Sequence, residues 1–196
     1  MKSILSNFGI LKGMRKNNSK TDFVLKRING RKVAFFIDNA NWFYPQKELG
    51  WRISFTKLRA FLEEICQIKI TNLYAGTPLD QADRQKFDRF CQAVKKSGFK
   101  VVTKPLKKIM VDRKNQKFEY KCNFDVEIAL DVARVIDKID LIIIGSGDSD
   151  FLEIKKFALE HKKAFLVICF EKGVAWEMRQ GHHLFLEDIR KEVEQK

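Results

Sequence analysis

Cysteine is scarce and unpaired in this 196-residue chain: four residues, at 66, 91, 122 and 169, with no Cys-x-x-Cys among them. That spacing argues against a structural zinc site. Cys66, Cys91 and Cys169 fall in apolar patterns and read as small core residues, so a reducing, cytoplasmic setting is expected. No apolar run approaches the roughly 18 residues that read as a membrane span. Lys and Asn interrupt the short apolar pieces at the N-terminus, so no signal peptide is expected there. Acids are also in deficit, 25 Asp and Glu against 38 Lys and Arg, for a net charge of +13.

The positive charge is clustered. Residues 1–32 carry nine Lys/Arg and one Asp, and residues 95–121 carry ten Lys/Arg against Asp112 and Glu119, so each stretch is +8. Clusters of this kind imply a polyanionic partner, most simply nucleic acid. With 45% apolar residues and seventeen Phe, the chain can also bury a sizeable core.

Residues 1–30 lack strong periodicity and read as a flexible basic arm, with room for one short helix. From residue 31 to 196 a single domain is expected. Apolar runs at 33–38, 68–75, 99–103, 141–145, 164–169 and 183–186 read as strands. Helical patterns at 54–66, 80–96, 125–136, 151–160 and 174–179 separate most of them. This alternation predicts an α/β fold, a doubly wound, mostly parallel Rossmann-like sheet flanked by helices. Residues 106–121 alternate apolar and charged side chains and read as a basic β-hairpin.

The most informative stretch is Leu141-Ile142-Ile143-Ile144-Gly145-Ser146-Gly147-Asp148-Ser149-Asp150-Phe151. A buried parallel strand stops at small residues, and two acids follow. Ligands of open α/β sheets sit beyond such strand ends. A second run, Val33 to Ile37, ends the same way in Asp38-Asn39-Ala40-Asn41. Each acid alone reads equally well as a helix cap, with Glu153 completing a capping box. Capping gives no reason for the coincidence. Acids converging from neighbouring strands point to a hard divalent cation.

Other acid-bearing motifs fit poorly. An acid phosphatase of the haloacid dehalogenase type uses Asp-x-Asp after its first strand, and here Ala40 stands at the second place. An EF-hand loop needs further ligands after Asp148 and a later Glu than Glu153. Gly145-Ser146-Gly147 lacks the third glycine of a dinucleotide loop.

Three segments in order, Ile37 to Asn41, Asp125-Val126-Glu127-Ile128-Ala129-Leu130-Asp131, and Gly145 to Phe151, resemble the acidic motifs of NYN domains. These are LabA-like members of the PIN-like nuclease superfamily. The resemblance runs from about Arg31 to about Phe185. Family members often carry Lys-Gly just before the first middle acid, whereas this chain has Lys121-Cys122-Asn123-Phe124-Asp125. The resemblance implies an endoribonuclease that hydrolyses RNA phosphodiesters with Mg2+ or Mn2+ held by Asp38, Asp125, Asp148 and Asp150. The competing reading is a non-catalytic RNA-binding or scaffold module that retains the fold. A homodimer is left open.

Supporting roles are less determined. Asn41 either binds phosphate and orients Asp38, or serves turn chemistry alone. Ser146 orients an acid or is a plain turn serine. Asp131 backs the ligand set or is a half-buried acid paired with Lys or Arg. Glu127 is expected in solvent, and Trp42, Phe43 and Tyr44 in the core, with stacking on bases as their alternative role. His161, His182 and His183 have no spacing that reaches the acids. Lys104, Lys107, Lys108, Arg113 and Lys114 are expected to grip the RNA backbone from a protruding element.

Overall fold

The computed structural model describes residues 19–112 and 115–195. Its centre is a six-stranded parallel sheet, ordered β3-β2-β1-β6-β7-β8. The strands are β1 (Lys32–Asp38), β2 (Gln67–Thr77), β3 (Lys100–Pro105), β6 (Leu141–Gly145), β7 (Ala164–Cys169) and β8 (His183–Phe185). A separate antiparallel hairpin, β4 (Lys107–Asp112) and β5 (Lys117–Lys121), leaves from the β3 edge. The doubly wound α/β expectation holds.

β1 and β6 read as continuous apolar runs because both of their faces are covered. Phe35 and Ile37 enter one core with Trp42, Phe55, Leu58 and Leu62. Ala34 and Phe36 point to the opposite core, with Ile128, Val132, Phe151 and Ile154. The period-2 pleat of one strand thus feeds both helical layers. The helices are α1 (Ser19–Ile28), α2 (Asn39–Leu49), α3 (Phe55–Glu63), α4 (Gln81–Lys96), α5 (Asp125–Val135), α6 (Leu152–Glu160), α7 (Trp176–Arg179) and α8 (Arg190–Val193).

Local side chains set the helix ends. Ser54 Oγ accepts from Lys57 N and caps α3, and Asp80 accepts from Ala82 N and Asp83 N to cap α4. Gly98 follows α4 with φ +84°, a left-handed conformation that favours glycine. Cys66, Cys91 and Cys169 are buried and free. Burial pushes the Cys66 and Cys169 thiols up to about 12, which leaves them unreactive at neutral pH.

Three features depart from the expectations. The second part of the expected arm is an ordered helix: Val24, Leu25 and Ile28 of α1 are buried in the first core. Lys20 Nζ donates to His183 Nε2 at 2.8 Å, and Thr21 Oγ1 donates to Asp188 at 3.3 Å. Residues 1–18 lie outside the described residues. Secondly, α2 has no counterpart in the sequence reading, because only Trp42 of its side chains is buried and Pro45 lies inside it. Gly50, at φ +70°, ends it. Thirdly, Ser149–Phe151 is a 3-10 turn that precedes α6, and Glu153 pairs with Lys156 rather than completing a capping box.

Candidate active site

β1 and β6 lie side by side, with Ile37 in register with Gly145. The next residues, Asp38 and Ser146, therefore stand at the carboxyl ends of adjacent central strands. This is where an open parallel sheet presents its ligand crevice. Two close approaches shape the turn after β6. A Cβ on Gly145 would meet Trp42 Cζ2 at 3.0 Å and Ile37 Cα at 3.1 Å. A Cβ on Gly147 would lie 2.9 Å from the Cα of Val174. Both glycines serve packing, and Ala175 N donates to Gly147 O at 2.8 Å to fix the crossing.

Asp38 is 8% exposed and both of its oxygens are engaged. Oδ1 accepts from Ala40 N at 3.0 Å, and Oδ2 accepts from Asn41 Nδ2 at 2.9 Å. Asp148 Oδ1 accepts from Asp150 N at 3.0 Å, while its own N–H donates to Ser146 Oγ at 3.2 Å. Capping and convergence are thus the same device. Each cap hydrogen bond spends one lone pair and aims the carboxylate. Ser146 is fully buried and acts as the turn serine that orients Asp148.

Asp125 opens α5, and Asn123 Oδ1 accepts from its backbone N–H at 2.8 Å. The signal for it was a side-chain acceptor two residues before a helix start, the pattern of an Asx turn.

Electrostatics tie the acids together. Burial raises the Asp38 carboxyl above the usual range; Asn41 and Ala40 oppose this, and the charges of Asp125 and Asp148 raise it further. Burial likewise raises Asp125; Asn123 opposes it, and Asp150, Asp148 and Glu127 add to the rise. Asp38 thus feels the charges of Asp125 and Asp148, and Asp125 those of Asp150, Asp148 and Glu127.

Among the described residues, no group of three or more His, Cys, Asp or Glu is placed to hold a metal ion. The donor set still suits a hard cation. It is all oxygen, it is anionic, and its raised acids gain when a positive charge arrives. Magnesium commonly keeps several waters and uses only one or two carboxylates, so a closed cage is not required.

Asp131 is not part of this cluster. Its Oδ2 accepts from Tyr74 Oη at 2.7 Å and Asn72 Nδ2 at 3.2 Å, and its Oδ1 pairs with Arg134 at 2.7 Å. Although burial opposes it, the hydrogen bonds from Tyr74 and Arg134 hold the carboxyl below its usual range. The six-residue offset from Asp125 turns Asp131 towards β2, which is why it finds these partners instead.

The basic residues also divide. Lys104 lies on β3 rather than on the protruding hairpin. It pairs with Glu127 at 2.5 Å and sits 4.6 Å from the Phe124 ring centre. Its charge is committed within the fold, and Glu127 is an ion-pair partner rather than a bare solvent acid. Lys107 and Lys108 lie on β4, exposed, with Lys108 over the Phe118 ring. Arg113 and Lys114 fall outside the described residues. Trp42 is fully buried as expected, but Phe43 and Tyr44 are 54% and 59% exposed.

Similarity to known proteins agrees with this architecture. The chain is 27% identical over 165 residues to the low amplitude and bright protein LabA of Synechococcus elongatus, covering 83% of this chain and 88% of that protein. A crystal structure of VPA0982, a protein of unknown function from Vibrio parahaemolyticus, superposes with a TM-score of 0.64. It is 20% identical, with 82% of this chain and 96% of that one covered, and shows the shared fold. The NYN domain family matches residues 32–187, which is most of the chain and includes all four clustered acids, and the protein belongs to that family.

Proposed function

We propose that this protein is a metal-dependent endoribonuclease that hydrolyses RNA phosphodiester bonds at the Asp38, Asp125, Asp148 and Asp150 cluster. The observation that carries this reading is the placement of Asp38 and of the Ser146-Gly147-Asp148 turn at the carboxyl ends of the adjacent strands β1 and β6. Membership of a PIN-like nuclease family supports it, and so does the net charge of +13. A negative site on a strongly positive protein is the arrangement a phosphodiesterase needs: the body attracts the polyanion and the acids concentrate the cation.

The four aspartates would hold Mg2+ or Mn2+ through carboxylate oxygens and waters. Bound there, the ion would supply Lewis-acid polarisation of a phosphate oxygen and a water of lowered pKa. The protein's own contribution is orientation. Asn41 and Ala40 N–H hold Asp38, Ser146 and the Asp150 N–H hold Asp148, and Asn123 fixes the start of α5 under Asp125. Lys107 and Lys108 extend from the β3 edge as phosphate contacts. The buried free thiols fit a reducing, cytoplasmic setting for a monomer or homodimer.

A circular RNA tests the proposal. Wild-type protein should linearise it in Mg2+ or Mn2+ and not in EDTA, and Asp148→Asn should be inactive while still binding RNA. Binding without cleavage in the wild type under all metal conditions would favour the non-catalytic RNA-binding module.

A further inference from the structure

Among the described residues, the most exposed large apolar side chain is Trp176, at 70%. Such an indole pays for its hydration without supporting the fold; its neighbour Met178 fills the core instead. Its backbone, by contrast, is closely fixed. The preceding residue, Ala175, donates to Gly147 O, and Val174 packs on Gly147, inside the Gly-Ser-Gly-Asp turn. Arg179 braces the same loop by donating to Glu171 O at 2.9 Å. Trp176 is thus a solvent-facing ring next to a backbone tied to the turn that carries Asp148 and Asp150.

A second aromatic surface lies on the other flank. Asn41, Tyr44 and Glu48 fall on one face of α2, at helical spacings of three and four. Asn41 touches Asp38. Tyr44 is 59% exposed and sits edge-on to Phe43 at 5.4 Å. Glu48 forms an ion pair with Lys172, which belongs to the loop leading to Trp176. That ion pair ties the Tyr44 face of α2 to the loop that leads to Trp176.

We infer that Tyr44 and Trp176 are stacking platforms for two unpaired bases of a single-stranded RNA bound at the acidic site. The substrate class rests on the nuclease reading above; the two side chains that hold its bases are what this inference adds. Flat rings stack on any base, whereas a base inside a duplex has no free face to offer them. The aliphatic exposures near Asp125, Val126 and Leu130, offer no comparable plane. The net charge of +13 on the whole chain favours a polyanion over an apolar protein partner.

The chain reports on its own platform. Of three tryptophans, Trp42 and Trp51 are buried and Trp176 alone is exposed, so red-shifted indole emission belongs to Trp176. The experiment titrates the whole protein in EDTA with a single-stranded adenylate octamer and with a duplex of equal length. Single strands should quench the red-shifted emission, and the duplex should bind without quenching. Trp176→Ala and Tyr44→Ala should each weaken single-strand binding by about 5- to 100-fold. Trp176→Phe should lose the signal but keep most of the affinity. No single-strand binding, no quench at saturation, equal quenching by duplex, or wild-type affinity in Trp176→Ala would each overturn the platform. Cleavage is not needed for this readout. An inactive protein with a quenched Trp176 overturns the nuclease reading alone, and an active one with an unquenched Trp176 overturns the platform alone.

Discussion

Asn41 donates from Nδ2 to Oδ2 of Asp38 at 2.9 Å, three residues along the chain. The bond favours the ionised form of the carboxylate and partly offsets burial and the acidic neighbours, which together raise it above the usual range. Asn41→Ala removes that restraint. We expect cation affinity or cleavage to fall by about 10- to 100-fold, as for other groups that orient a ligand. The acid limb of the pH–rate profile should also move to higher pH. Asn41→Asp should be no rescue, because it adds a fifth negative charge.

The pH dependence has a defined sign. Asp38 and Asp125 have raised folded-state values. Such groups favour the fold when protonated, and that contribution is lost as pH rises through their folded values. In EDTA, the Tm of Asp38→Asn should match wild type at pH below the ordinary carboxylate range. It should exceed wild type increasingly as pH rises through the raised value of Asp38. Asn still caps a helix well, so α2 should be retained. A Tm difference that is flat with pH would argue against the strained carboxylate.

Gly147 is required by packing. Its added Cβ would meet backbone, not a flexible side-chain end. Gly147→Ala should therefore cost about 1–3 kcal/mol in denaturant unfolding. It should also impair cleavage, because the crossing loop and the Asp148 turn must separate. A neutral substitution would show that the loop yields freely.

The hairpin prediction is narrower than the charge pattern suggested. Lys104 is committed to Glu127, leaving Lys107, Lys108 and Arg113 as the phosphate contacts to test. Their joint removal should weaken all RNA sequences alike. It should flatten the slope of log affinity against log salt by roughly 0.7 per lost contact on single strands. An unchanged slope would place the RNA path on another face.

Much of this was legible in the sequence for a physical reason. Strands buried on both faces, such as Leu141–Gly145, are continuous apolar runs, and acids ending two of them are conspicuous. α2 was hidden because its one core contact, Trp42, leaves no repeating apolar face, and Pro45 is a poor helix residue. Asp131 was ambiguous because its partners, Asn72 and Tyr74, come from a strand more than fifty residues away. Lys104 was misplaced because an ion pair between a strand and a distant helix leaves no local pattern. Tyr44 and Phe43 were assigned to the core because aromatic residues usually are; only the turn of α2 shows which of the three neighbours faces inwards.

The central claim is that Asp38, Asp125, Asp148 and Asp150 form one cation site and Asp131 does not. A manganese titration by electron paramagnetic resonance on the wild type and the five single Asp→Asn variants tests it most directly. The account predicts saturable binding in the wild type, weakened in each of the four cluster variants and unchanged in Asp131→Asn. Wild-type affinity in Asp38→Asn and Asp148→Asn, or a loss in Asp131→Asn equal to theirs, would contradict it.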